Sequence, residues 1–412
     1  MDLELVCRSC AERVDPSTFP SGCPSCDGAL EFVPDEDAPA ELPTDATTPS
    51  MWRYREALPL VPAEPITLDE GWTPLLTADL ADGVRTLVKN ETVNPTWSFK
   101  DRLNALVVSN VVARGHDRIV ASSTGNHGAS TAAYASRGGV ERVVVLVPHE
   151  TEPPHRVQIR AHGAACVVTD FDEREALVDA LVERGWYPTI TTPAVRTDQP
   201  YIYEAYKTIA FEIVEQHGVP DAVVVPTGRG DGLYGVWKGF RDLQSVGAVE
   251  RVPRMIAAQS ADRAPLVRAI EAEGDAPAAS RNALEPADGP LPLSLSIGGS
   301  TTGRHALDAI HESGGTAYAI SQPAVREATR RAGRAGLFLE PASALGAAAI
   351  PRAISDGVVD AGETVVCVAT GPGAKWPTAT ERAVGSAPVI EPTIEALTEA
   401  VPFSLGGPSV QD

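Results

Sequence analysis

The sequence predicts an α/β protein: two parallel-sheet α/β domains with a ligand cleft between them, preceded by a small cysteine-stapled ribbon. Three observations carry this. From residue 51 onward, short β-branched runs alternate with helix-period segments, the pattern of parallel strands joined by crossover helices. Four of the strand-to-helix junctions concentrate glycines, hydroxyls or an isolated lysine, and ligands in such folds bind where loops leave the carboxyl ends of strands. Two Cys-x-x-Cys pairs stand near the start of the chain.

Those pairs are Cys7-Arg8-Ser9-Cys10 and Cys23-Pro24-Ser25-Cys26, with twelve residues between them. Two such knuckles can set four thiolates tetrahedrally around Zn2+. A segment this short and this poor in apolar residues needs a staple to fold. Residues 1–33 therefore read as a zinc ribbon ligated by Cys7, Cys10, Cys23 and Cys26. With every ligand supplied by the protein, the metal is structural and not catalytic. Cys166 and Cys367 fall in apolar strand-like runs and read as inert core thiols.

Residues 34–50 are acidic, rich in Pro and Thr, and aperiodic, which makes them a linker. Beyond them, strands are expected at 86–89, 118–122, 142–147, 165–169, 222–226, 316–320 and 364–369. Helical periodicity marks 101–114, 128–136, 173–184, 203–216, 233–243, 305–313, 323–335 and 342–350, and a further helix is expected after Pro153-Pro154. The expected organisation of 51–412 is a smaller α/β domain at about 105–200 inserted into a larger one of 51–104 and 201–390, with 391–412 a tail.

Charge narrows the class. The 412 residues carry 34 Lys plus Arg against 55 Asp plus Glu, a formal net charge of −21, and five of the basic residues are lysine. An acidic, lysine-poor surface suits a halophilic protein in a salty cytoplasm, where screening over a few ångströms removes self-repulsion. It argues against nucleic acid as a partner, since phosphate-backbone binding needs a basic footprint. Apolar runs such as 143–147 are strand-sized, so no membrane partner is expected, and no secretory leader pattern opens the sequence. The expected location is cytoplasmic.

Four junctions carry the chemistry. The first, Asn94-Pro95-Thr96-Trp97-Ser98-Phe99-Lys100-Asp101-Arg102, runs into a long apolar helix. A lysine in a helix's first turn opposes the macrodipole, which favours the free amine needed for Schiff-base chemistry with an aldehyde cofactor. The second, Ser122-Ser123-Thr124-Gly125-Asn126-His127-Gly128, offers hydroxyls, an amide and free N–H groups that can grip a carboxylate and a phenolic oxygen. His127 reads as a packed or capping residue and not as a base. The third, Thr227-Gly228-Arg229-Gly230-Asp231-Gly232-Leu233, has three alternate glycines whose amides can wrap a phosphate. The fourth, Val366 to Gly373, delivers the hydroxyl of Thr370 from a buried strand.

Together these junctions resemble the fold-type II family of pyridoxal-phosphate enzymes. The resemblance spans about 70–385, with Lys207 to Ile213, Val236-Trp237-Lys238-Gly239-Phe240 and Glu340-Pro341-Ala342-Ser343-Ala344 pointing to its threonine synthase branch. It implies pyridoxal 5′-phosphate as cofactor and Lys100 as its Schiff-base partner and catalytic proton carrier. It further implies that Asn126 bonds the cofactor's 3′-oxygen, that the Gly228-Arg229-Gly230-Asp231-Gly232 loop holds its phosphate, and that Thr370 meets its pyridine nitrogen. Ser123, Thr124 and Gly125 would seat the carboxylate of a small amino-acid substrate. The implied reaction is loss of phosphate from O-phospho-L-homoserine and addition of water to give L-threonine. The alternative is a β-eliminating ammonia-lyase acting on threonine, serine or diaminopropionate. A homodimer is expected.

Several residues depart from the family pattern. Trp97 stands where glycine is usual, and Tyr201, Tyr203 and Tyr206 precede Lys207; these four are expected to narrow the substrate pocket. Asp231 should turn outward to cap its helix, with Arg229 offsetting its charge. For a substrate phosphate, Arg156 and Arg160 share a helix face at i and i+4 and are the candidate cations.

Overall fold

Three short antiparallel strands begin the computed structural model, which describes residues 3–16, 22–26, 28–34, 40–42, 44–171, 173–189, 200–272 and 284–405. They are β1 (Leu3–Cys7), β2 (Arg13–Val14) and β3 (Leu30–Pro34), in the order β2-β1-β3. Leu5 pairs with Phe32 and Cys7 with Leu30, and all four side chains are buried. Of the expected linker, 35–39 and 43 lie outside the described residues, as do 406–412 of the expected tail.

The rest alternates strands and helices: β4 (Leu75–Thr77), β5 (Arg85–Asn90), α1 (Lys100–Ala113), β6 (Arg118–Ser122), α2 (Asn126–Arg137), β7 (Arg142–Pro148), α3 (Pro153–Ala161), β8 (Ala165–Thr169), α4 (Arg174–Val182) and β9 (Tyr187–Pro188). It continues through α5 (Pro200–His217), β10 (Ala222–Pro226), α6 (Asp231–Ser245), β11 (Arg254–Ser260), α7 (Pro265–Glu271), α8 (Arg304–Glu312), β12 (Thr316–Ile320), α9 (Gln322–Arg334), α10 (Pro341–Ser355), β13 (Thr364–Ala369), α11 (Pro377–Val384) and α12 (Ile394–Ala400).

Two sheets result. A four-stranded sheet has the order β8-β7-β6-β9, every pair parallel. A six-stranded sheet has the order β12-β11-β10-β13-β5-β4, parallel except where β4 meets β5. Helices cover both faces, so central strands such as β10 are buried along their whole length. The expected strands and helices are present. β11 was not expected, because its Ala257-Ala258-Gln259 stretch dilutes the β-branched signal that marks a buried strand. Cys367 is a core thiol, pushed up to about 12 by burial, whereas Cys166 is half-buried on edge strand β8. Among the described residues no helix is long and apolar enough to cross a membrane.

A buried ionic cluster ties α1 to α5 beneath the first junction. Arg102 donates to Glu91 at 2.7 and 2.8 Å and to Glu212 at 2.5 and 2.9 Å, and Lys89 Nζ lies 2.6 Å from Glu212. All four side chains are fully inside. Groups buried this deeply persist only when paired.

Candidate active site

The four junctions meet at one cavity of about 280 Å3. Its walls include Lys100, Ser123, Thr124, Asn126, Gly228, Arg229, Gly230, Asp231, Gly232 and Thr370.

Lys100 reaches the cavity because the loop before α1 is fixed on three sides. Asp101 accepts from the Thr96 amide at 2.6 Å and its hydroxyl at 2.5 Å. The Phe99 amide donates to Thr370 O at 3.1 Å, and the Phe99 ring stacks on Tyr206 at 4.9 Å. Burial drives the Lys100 ammonium below the ordinary lysine value, against the opposing pull of Asp231 and Glu340. The free amine is thereby favoured. The other four lysines are buried elsewhere: Lys89 in the cluster above, Lys207 and Lys238 against Glu204 and Asp242, and Lys375 donating to Thr96 O.

Asn126 opens α2. Its Nδ2 lies 3.0 Å from Glu340 Oε2, and its Oδ1 lies 3.1 Å from His155 Nε2. Gly125 sits at φ +157 with its Cβ position 2.5 Å from the His155 ring, so a side chain there would displace that histidine. Ser123 Oγ accepts from the Gly125 and Gly128 amides at 3.0 and 2.8 Å, which holds the loop's amides in place. His127 is depressed to about 3 by burial and by Lys100, and contacts Thr189 and Thr131. It is half-buried and neutral, and it lines the cavity.

The glycine loop caps α6. Gly230 has φ +104, and a Cβ on it would stand 2.5 Å from Ala306 Cβ; only glycine fits. Thr302 Oγ1 donates to Gly228 O at 2.8 Å and the Gly303 amide to Arg229 O at 2.8 Å. Asp231 does not cap α6, which has no side-chain cap. Its Oδ1 lies 3.3 Å from His305 Nε2, and although burial opposes it, His305, Lys100 and Arg229 hold its carboxyl below the usual range. Arg229 itself pairs with Glu175 of α4.

Thr370 Oγ1 lies 2.9 Å from Ser343 Oγ and 3.4 Å from Glu340 Oε1. Burial pushes the Glu340 carboxyl above its ordinary value. Glu340 stood in a recognised motif but had no role assigned; with Arg174, Ser296, Ser300 and Thr301 it lines the cavity. No periodic signal marked these residues, which come from loops and helix ends far apart in the chain.

Other expectations change. Arg156 and Arg160 do not line the cavity: Arg156 donates to His149 O at 2.5 Å and Arg160 is exposed. His155 and Ile159 are the buried face of α3, so the arginines one position later turn away. Trp97 is 53 % exposed at φ +64, which explains the glycine usual there. Tyr201, Tyr203 and Tyr206 are core residues that do not line the cavity. None of the four narrows it.

These features fit pyridoxal phosphate: a half-buried lysine favouring its free amine, a helix N-terminus whose central glycine, Gly230, admits no Cβ, and a buried amide and hydroxyl facing the same space. The pyridoxal-phosphate dependent enzyme family matches residues 66–371, and the chain belongs to it. It is threonine synthase-like. A threonine synthase of Methanosarcina acetivorans is 33% identical over 412 residues, covering 96% of this chain and 98% of the relative. One of Methanocaldococcus jannaschii is 32% identical, covering 92% and 94%. In fold, the chain is similar to the processed form of threonine deaminase isoform 2 from Solanum lycopersicum, with TM-score 0.61 and 20% identity over 85% of this chain and 98% of that one.

Proposed function

We propose that the chain converts O-phospho-L-homoserine and water to L-threonine and phosphate. The observation that carries this reading is the likeness to curated threonine synthases over nearly the whole chain, joined to a cavity that holds the lysine, amide, glycine loop and hydroxyl together. When bound, pyridoxal phosphate supplies an electron sink for charge developing on the substrate's carbons. Lys100, its ammonium disfavoured by burial, would hold the cofactor through its free amine and would carry protons between Cα and Cβ of the substrate. Asn126 would present its amide to the cofactor's 3′-oxygen, and the Gly228–Gly232 amides would hold its phosphate. The neutral Thr370 hydroxyl would hold the ring nitrogen. Ser123, Thr124 and Gly125 orient the substrate carboxylate through the N–H groups at the start of α2.

Among the described residues, the lysines and arginines bordering the cavity are Lys100, Arg174 and Arg229. This supports Arg174 and Arg229, in place of Arg156 and Arg160, as partners of the substrate phosphate. Arg229 would exchange Glu175 for it.

The cysteines support a structural zinc ion: the sulfurs of Cys7, Cys10, Cys23 and Cys26 all lie within 4.8 Å of one another, on a three-stranded ribbon. The test of function is direct. Incubation with O-phosphohomoserine should release phosphate and threonine in equal amounts. Keto acid and ammonia from an unphosphorylated amino acid, without threonine, would overturn the reading in favour of an ammonia-lyase.

A further inference from the structure

The ribbon's contact with the main unit is aimed at one place. Arg8, between Cys7 and Cys10, reaches the main unit. Its Nη1 donates to Tyr234 OH at 2.5 Å and its Nη2 to Glu312 Oε1 at 2.6 Å. Its guanidinium lies over the Tyr234 and Trp237 rings at 5.3 and 5.4 Å. Glu31 of β3 accepts from Tyr234 OH at 2.6 Å and from Arg241 at 2.7 Å. Tyr234, Trp237 and Arg241 belong to α6, and Glu312 ends α8. Arg8 thus straps two helices together.

Those two helices build the glycine loop. Tyr234 is in the first turn of α6, and its amide donates to Gly230 O at 2.9 Å. Its ring meets His305 edge-on at 5.3 Å, and His305 in turn lies 3.3 Å from Asp231. His305 and Ala306, at the start of α8, are also what a Cβ on Gly230 would strike. The start of α8 therefore packs directly against the central glycine of the loop.

We propose that the ribbon is a clasp for the cofactor-phosphate loop: Arg8 and Glu31 act through Tyr234 as positioning residues that hold α6 and α8 at the separation receiving the phosphate. This rests on the reading that Gly228–Gly232 takes that phosphate. The first turn of α6 has no side-chain cap of its own, so the hydroxyl of Tyr234 is where the ribbon can fix it. Removing that hydroxyl deletes two hydrogen bonds while the ring keeps its packing.

The test is equilibrium titration of the cofactor-stripped full chain with pyridoxal phosphate and, separately, with pyridoxal, which lacks the phosphate. The parent is compared with Tyr234→Phe, Arg8→Gln and Gly230→Ala, with metal content and circular dichroism measured on each. Tyr234→Phe and Arg8→Gln should weaken pyridoxal phosphate about threefold to tenfold, the scale of one or two lost hydrogen bonds, and leave pyridoxal affinity and metal content unchanged. Arg8→Gln stands on the ribbon's edge and keeps the measurement available should the core variant fail to fold. Equal weakening of both ligands would overturn the clasp, since it would mean general loosening of the pocket. So would unchanged pyridoxal phosphate affinity in both ribbon-contact variants while Gly230→Ala weakens it. Unchanged affinity in Gly230→Ala as well would instead sink the loop reading itself.

Discussion

His155 Nε2 lies 3.1 Å from Asn126 Oδ1, and this contact orients the amide that borders the cavity. Burial holds His155 well below its ordinary value, so it is neutral and has one ring proton to give. Given to Asn126 Oδ1, that proton leaves Asn126 Nδ2 directed at Glu340 and the space where the proposed cofactor oxygen sits.

His155→Leu should therefore free the amide to turn. The pH at which the bound cofactor's visible band titrates should move by about one unit, equivalent to one charge-assisted hydrogen bond, with cofactor stoichiometry intact. A superimposable titration curve would show that His155 only fills space.

Lys100→Ala should abolish the borohydride-sensitive visible absorbance of the bound cofactor and lower kcat at least about a hundredfold. The remaining lysines are buried against their own partners and cannot substitute. Recovery of the reduced label on Lys89, Lys207, Lys238 or Lys375 in a digest would reassign the site.

Glu212 accepts from Arg102 and Lys89. Burial raises its carboxyl, but those two cations outweigh it and bring it from 4.5 to about 2. A depressed carboxylate contributes stability that is fully present above its unfolded value and lost as pH falls through the folded one. The window is thus about pH 4.5 down to 2. Glu212→Gln should cost about 3–5 kcal/mol at pH 7, because it leaves buried Lys89 without its carboxylate and Arg102 with Glu91 alone, and should flatten the acid slope in that window. Denaturant midpoints at pH 7 and pH 3 check both.

Metal analysis should find one zinc per chain, and Cys23→Ser should lose it together with thermal stability, because metal binding and ribbon folding are coupled. Zinc content unaffected by Cys23→Ser would remove the ribbon assignment.

Arg174→Ala should lower kcat/KM for O-phosphohomoserine about tenfold to a hundredfold, the scale of one charge-assisted contact, with the cofactor spectrum preserved. Arg156→Ala and Arg160→Ala should change it less than about twofold, as expected of surface substitutions away from the site. The reverse ranking would return the phosphate to α3.

Much of this was legible because it is local. A lysine placed at the start of an apolar helix and three alternate glycines after a buried strand each state their chemistry within one short segment, and the paired cysteine knuckles do so between Cys7 and Cys26. The fate of Arg156 and Arg160 was not: His155 and Ile159 share the same i, i+4 spacing, and it is their burial in the fold that sends the arginines outward. Spacing alone cannot say which of two neighbouring faces is the inner one.

What the sequence determined by itself is the set of elements and the chemical character of each junction, since periodicity, glycine conformation and helix polarity act over a few neighbours. What only the tertiary structure decided is which side chains share a space. His155 bonds Asn126 across 29 residues and Arg8 bonds Tyr234 across 226. Such pairs form where packing brings their backbones together, and a buried donor takes whichever acceptor the fold presents, because leaving it unpaired costs about 1–3 kcal/mol.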